Sequence, residues 1–245
     1  MNETEKRGAV LVVGAGDATG TAIARRFARE GHVVCMARRN GDQLAPHVAA
    51  IEAEGGRAIG YSLDARREEP VIELFDRIER EVGPLEVVVF NVGGNIRHSI
   101  LEYTAKRFFK VWEMACFGGF LVGREAARRM VPRGHGTILF TGATASMRGG
   151  SGYAGFSAGK AGLRMLAQSM ARELGPQGIH VAHVVVDGPI DTVFTRENFP
   201  AIYEQRDRDG VLQPDDIAEN YWMLHRQPKS AWTFELDLRP SVEPW

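Results

Sequence analysis

The feature that most constrains this chain is the rhythm of its apolar residues. Short apolar runs of strand length, at 9–13, 32–37, 58–63, 85–90, 137–141, 180–186 and 232–238, alternate with longer segments of helical spacing at 21–30, 43–54, 69–82, 108–130 and 155–174. Strands that lack polar alternation need cover on both faces, and a helix between successive strands supplies it when the strands run parallel. The expected fold class is therefore α/β, a doubly wound parallel sheet with helices on both faces. A length of 245 residues with 44% hydrophobic side chains suffices for one such core, so a single domain over 1–245 is expected.

The first apolar run leads into Gly14-Ala15-Gly16-Asp17-Ala18-Thr19-Gly20 and then directly into a helical segment. Glycines at that junction let the backbone close on a pyrophosphate, and the free amides of the helix N-terminus face it. This reads as the phosphate cradle of a Rossmann-like nicotinamide-dinucleotide site, formed by Gly14, Gly16, Asp17, Ala18, Thr19 and Gly20; an ordinary glycine turn is the plainer alternative. The second run ends in Ala37-Arg38-Arg39, where a carboxylate would hold the ribose hydroxyls of NAD and arginine would hold the 2′-phosphate of NADP. Arg38 and Arg39 thus favour NADP(H) over NAD(H), against the alternative of a solvated basic turn. Asp17 would repel that phosphate if free, and is read as a cap on the following helix.

A formal net charge of −1 leaves no field to draw in nucleic acid or an anionic membrane, so a small-molecule substrate is expected and neither of those partners is. The two cysteines, Cys35 and Cys116, each lie within an apolar run, as buried thiols of a reducing compartment would. With a polar start at Met1 to Arg7 and no apolar run of membrane-spanning length, a cytoplasmic protein is expected. Residues 187–213 break the rhythm with Pro189, Pro200, aromatics and many charges, and read as a substrate loop or lid, the alternative being a plain connection over the sheet edge. No spacing of His, Cys and Asp suggests a metal site.

With further motifs the chain resembles the short-chain dehydrogenase/reductase family along nearly its whole length. Asp64-Ala65 matches the pair that holds adenine, Asn91-Val92-Gly93-Gly94 resembles the Asn-Ala-Gly-Gly motif, and Phe156-Ser157-Ala158-Gly159-Lys160 aligns with the Tyr-x-x-x-Lys helix. Asp187-Gly188-Pro189 stands where the family usually has Pro-Gly beside the nicotinamide. The resemblance implies cofactor contacts at Asp64, Ala65, Asn91, Gly93, Lys160, Gly188, Pro189 and Ile190. It also implies a homodimer or homotetramer paired through the long helices at 108–130 and 155–174.

The same alignment implies that the usual acid–base machinery is depleted. A phenol of pKa about 10 becomes a useful base near neutrality only beside a cation, which a lysine one helical turn on provides. Here the tyrosine position holds Phe156, the serine position Ala143 and the asparagine position Ala115, leaving Lys160 of the four; a shift of one residue would place Thr144 at the serine position. Tyr153 is the remaining catalytic candidate with Lys160, although it lies seven residues and so about 10 Å before it along a helix. Ala143, Met147 and Phe156 are expected to line an apolar substrate pocket. Ser146, Ser151 and Ser157 read as turn or cap formers, His98 as a group that can face the pocket, and His180 and His183 as residues of the sheet. Three functions remain open: an NADP(H)-dependent oxidoreductase acting on an activated carbonyl or enone, a dinucleotide-binding or sensing protein without turnover, and a non-redox lyase or hydrolase, for which no nucleophile–base pair is visible.

Overall fold

The computed structural model describes residues 7–94 and 96–243; the polar stretch 1–6 falls outside the described residues. Seven strands, β1 (Ala9–Val13), β2 (Val33–Arg38), β3 (Arg57–Ser62), β4 (Leu85–Phe90), β5 (Gly136–Thr141), β6 (Ile179–Val186) and β7 (Glu235–Leu238), form one sheet in the order β3-β2-β1-β4-β5-β6-β7. Every pairing is parallel. The central strands are rich in valine, whose branched Cβ suits a pleated surface, and β1 and β6 are buried along their full length.

The helices are α1 (Thr19–Arg29), α2 (Ala45–Ala53), α3 (Glu68–Glu81), α4 (Ala105–Trp112), α5 (Gly118–Met130), α6 (Ala154–Leu174), α7 (Val193–Asn198), α8 (Pro200–Tyr203) and α9 (Pro214–His225). Two apolar cores result, one on each face of the sheet. Ile23 and Phe27 of α1, Ile51 of α2 and Tyr221 and Leu224 of α9 fill one. Phe75 of α3, Leu121 of α5 and Leu163 of α6 fill the other. This is the single-domain, doubly wound Rossmann-like sheet that the apolar rhythm implies.

Several local features depart from the sequence expectation. The helix expected at 108–130 starts earlier and is interrupted by a π-helical turn over Glu113–Phe117, in which the Gly118 amide reaches back to the Glu113 carbonyl. Phe109, Trp112, Phe117 and Phe120 stack in sequence along it at centroid separations of 5.9, 6.3 and 6.0 Å. The stretch at 187–213 is not without secondary structure, since α7 and α8 form inside it, each too short to show a period. Helix α9 stands outside the expected apolar rhythm, although Pro214 followed by Asp215 and Asp216 in the first turn is a helix-start signal. The last strand is shorter than 232–238: Trp232 lies outside it, stacked face to face on His180 at 4.8 Å. Cys35 is buried and Cys116 half-buried, and both are free thiols. Among the described residues no helix is long and apolar enough to cross a membrane.

Candidate nucleotide site and cleft

The strand order reverses between β1 and β4, and the loops leaving their carboxyl ends diverge to open a crevice. Gly14 there adopts φ +87°, and a Cβ on it would stand 2.6 Å from the Asn91 carbonyl oxygen. A Cβ on Gly20 would stand 2.5 Å from the Gly14 carbonyl oxygen, so helix α1 packs against the loop with no room for a side chain. Gly16, by contrast, faces open space. Asn91 Nδ2 donates to the Gly14 carbonyl at 3.0 Å and locks the loop to the end of β4. No side chain caps the start of α1, which leaves its first amides directed at the crevice. Tight glycines behind, an open glycine in front and free helix amides are what a pyrophosphate requires, so these residues fit a dinucleotide.

A cleft of about 1240 Å³ is lined by Gly14, Gly16, Asp17, Ala18, Thr19, Gly20, Asn91 and Gly93 at one end. Ala143, Tyr153, Phe156, Lys160, Gly188 and Ile190 line it farther in. A second cavity of about 470 Å³ adjoins it and is walled by Arg38, Arg39, Asp64 and Ala65, where the sequence reading puts the adenosine half.

Asp17 does not cap α1, contrary to expectation. Its carboxylate accepts from Arg38 at 3.0 Å and from His47 at 3.1 Å. Two cationic or protonatable partners, from the end of β2 and from α2, compete better for a charged carboxylate than the neutral amides do. Burial raises the Asp17 pKa, but the hydrogen bonds from Arg38 and His47 outweigh it and hold the carboxyl below the usual range. Asp64 is held low chiefly by Arg66, which binds it through Nε at 2.8 Å and Nη2 at 2.6 Å.

Lys160 is buried on α6 and donates to the backbone carbonyls of Thr141 at 2.7 Å and Val92 at 3.0 Å. Burial pushes its ammonium down to about 8. The Phe156 ring lies one turn earlier, 5.9 Å from Nζ. Tyr153 immediately precedes the first residue of α6 and forms part of the cleft wall, so the structure does bring it into one cavity with Lys160. Ser157 also lines the cleft, with a buried hydroxyl that has no hydrogen-bond partner among the described residues.

Other expected residues fall elsewhere. Met147 is outside the cleft lining and exposed, because the 3₁₀ turn at Thr144–Ser146 turns Thr144 and Arg148 inward and Met147 to solvent. Pro189 is also absent from the lining; its carbonyl accepts from the Leu212 amide at 2.8 Å while its neighbours Gly188 and Ile190 reach the cleft. His98 packs edge-on against Tyr103 with centroids 5.4 Å apart and does not line the cavity. Ser146 accepts from the Ala143 amide at 3.1 Å, as a turn former does. His180 and His183 are buried in β6, and burial lowers the pKa of both.

The inner end holds a buried polar knot that the sequence motifs do not reveal. The carboxylate of Asp187, 1% exposed, accepts from Thr144 Oγ1 at 2.5 Å and pairs with Arg148 at 3.4 Å and Arg239 at 3.2 Å. The signal available was the acidic residue of Asp187-Gly188-Pro189 after an uninterrupted apolar strand, a place where a charge needs partners. The Thr144 hydroxyl, which a one-residue shift would place at the family's serine position, is thereby occupied.

The profile of the short chain dehydrogenase family matches residues 8–202. The chain is 35% identical over 187 residues to the 3-oxoacyl-[acyl-carrier-protein] reductase MabA of Mycobacterium avium, an alignment that covers 76% of this chain and 69% of the relative. A crystal structure of a short-chain dehydrogenase from Rhodopseudomonas palustris is 50% identical, with a TM-score of 0.82 over 95% of this chain and 98% of that one. A single-substitution variant of actinorhodin polyketide ketoreductase, solved with NADPH, is 25% identical, with a TM-score of 0.88 over 96% of this chain and 97% of its own. The chain belongs to the short-chain dehydrogenase/reductase family.

Proposed function

We propose that this protein is an NADP(H)-dependent oxidoreductase acting on a small molecule with an activated carbonyl or enone, through an active site that lacks the family's tyrosine, serine and asparagine. The observation that carries the proposal is one continuous cleft running from the glycine cradle to a wall of Ala143, Tyr153, Phe156 and Lys160. Bound in it, the nicotinamide supplies or accepts a hydride. The chain's own residues bind and orient. Gly14, Gly16 and Gly20 with the α1 amides hold the pyrophosphate, and Asp64 and Ala65 flank the adenine. Arg38 and Arg39 face a 2′-phosphate, for which Arg38 would exchange its bond to Asp17. Lys160 Nζ has three N–H bonds, two of them given to backbone carbonyls, which leaves one for a ribose or substrate oxygen.

At Phe156 no proton is available, and Tyr153 is the phenol that shares the cleft with Lys160. A conjugated or otherwise activated acceptor needs less help from an acid than a plain ketone, and the apolar Ala143 and Phe156 suit an apolar body. The ketoreductase and 3-oxoacyl reductase named above support carbonyl chemistry. Residues 187–213 serve as the lid, with Val193 and Phe194 of α7 at the cleft rim and exposed. A homodimer or homotetramer through α4, α5 and α6 is supported by the exposed Phe109, Phe120 and Met165 on those helices.

The binding of Lys160 by two backbone carbonyls and of Thr144 by Asp187 favours a second reading, a dinucleotide-binding protein that does not turn over. Following NADPH absorbance with a panel of enones, quinones and ketones decides between them. Steady turnover of a panel member establishes the oxidoreductase; tight NADPH binding without consumption establishes the binding protein.

A further inference from the structure

The opposite end of the sheet, at the amino ends of the strands, carries a cluster that no part of the cleft uses. His32 immediately precedes β2, Glu86 is the second residue of β4, and His225 is the last residue of α9. One donor atom of each lies within 4.8 Å of the donor atoms of the other two. Far apart in sequence, the three have no spacing that would reveal them.

Both imidazoles are held as metal ligands usually are. His32 Nδ1 lies 3.0 Å from the Gly8 carbonyl, and His225 Nδ1 lies 3.0 Å from Thr137 Oγ1. With an Nδ1 proton directed at that carbonyl, His32 Nε2 carries a lone pair, and among the described residues this buried atom has no hydrogen-bond partner, the residue being only 2% exposed. Glu86 Oε2 stands 3.5 Å from His32 Nδ1, the nitrogen that also faces the Gly8 carbonyl, and its side chain folds over Gly8, where a Cβ would meet Glu86 Cγ at 2.5 Å. Phe27 packs against the His32 and His225 rings at centroid separations of 5.8 and 5.7 Å, and Trp222 against the same two rings at 6.0 and 5.5 Å, which fixes their planes. The cations nearby are compensated: Arg7 pairs with Glu30, and Arg26 with Glu30 and Glu219.

We propose that His32, Glu86 and His225 form a binding site for a borderline divalent cation, best matched by Zn²⁺, that fastens the end of α9 to the amino edge of β2 and β4. Two imidazoles and a carboxylate are a donor set that zinc accepts, with a water completing four-coordination. Ligands 2.0–2.1 Å from a tetrahedral zinc are about 3.4 Å apart, so a closure of little more than about 1 Å suffices. The other end of α9 begins at Pro214 and Asp215, which line the cleft, so the metal would brace the helix that walls the nucleotide site without touching the chemistry.

The test uses the full chain, free of any histidine tag and stripped with chelator, titrated with Zn²⁺ and separately with Co²⁺. The expected result is uptake of one Zn²⁺ per chain, a rise in melting temperature with zinc, and a cobalt spectrum of a low-coordinate nitrogen–oxygen site. Glu86→Gln and His225→Gln are each expected to weaken zinc at least tenfold, whereas His135→Gln, at an exposed histidine outside the cluster, leaves it unchanged. Absence of saturable binding at micromolar free zinc overturns the proposal, as does binding that survives both substitutions. Should either variant fail to fold, the wild-type chain decides: stoichiometric cobalt uptake with an octahedral, all-water spectrum places the metal elsewhere and overturns it.

Discussion

Lys160→Met offers a direct measure of what the buried ammonium costs the fold. In the unfolded chain the group titrates at its ordinary 10.5, whereas burial brings it to about 8 in the folded protein. Between those values the unfolded chain holds a proton that the folded chain has released, so stability rises with pH at about 1.4 kcal/mol per pH unit. The full interval from about 8 to 10.5 amounts to about 3 kcal/mol, a penalty wholly present below pH 8 and gone above pH 10.5. Methionine fills similar volume without titrating, and it leaves the Val92 and Thr141 carbonyls without a donor, a loss of roughly 1–3 kcal/mol each that does not vary with pH. Urea unfolding of both proteins at one fixed concentration, from about pH 7 to about pH 10, gives the difference curve. Other alkaline groups, such as Cys35 and Tyr61, both pushed up to about 12 by burial, cancel in that difference. Wild type is expected to gain on the variant steadily above pH 8. A flat difference, or one that falls, would refute the claim that the ammonium is desolvated at a cost.

Three further outcomes are expected. Phe156→Tyr combined with Ala143→Ser should raise reduction of a simple ketone by about 10²-fold or more, the usual worth of a positioned general acid, as read by NADPH consumption; no gain would mean that these positions do not face the reacting carbonyl. Arg38→Ala should weaken NADPH about tenfold or more relative to NADH in a binding titration, while equal weakening of both would remove Arg38 from the 2′-phosphate. Gly14→Ala, forced at φ +87° against the Asn91 carbonyl, should destabilise by about 1–3 kcal/mol and abolish dinucleotide binding, and an unchanged dissociation constant would show that the loop is not the cradle.

The central strands were legible because burial on both faces favours apolar residues along them, leaving runs such as Ala9–Val13 with sharp edges. The glycine loop after β1 was legible because backbone conformation and close packing, and not side-chain partners, select glycine at Gly14 and Gly20. What depends on partners distant in sequence was not. Whether Asp17 caps a helix or binds Arg38 and His47 is decided by where β2 and α2 place those cations. Asp187 reads as an ordinary loop acid until Thr144, Arg148 and Arg239 converge on it. Met147 looks like a pocket residue by its position after β5, and a single tight turn directs it to solvent.

The π-turn between α4 and α5 has a consequence for the phase of the helical surface. Each residue of an α-helix advances a side chain by about 100°, so the five-residue step from Trp112 to Phe117 would leave the two rings about 140° apart around the axis. The wider turn absorbs the extra residue, and the rings stack at 6.3 Å with planes 21° apart. Phe109 and Trp112 before it, and Phe117 and Phe120 after it, therefore fall into one row although their spacing of three, five and three breaks the 3.6 period. Deleting one residue from 113–117 would restore a regular helix in which those two rings stand four positions apart, about 40° around the axis, so the aromatic row would persist while the π-turn is lost.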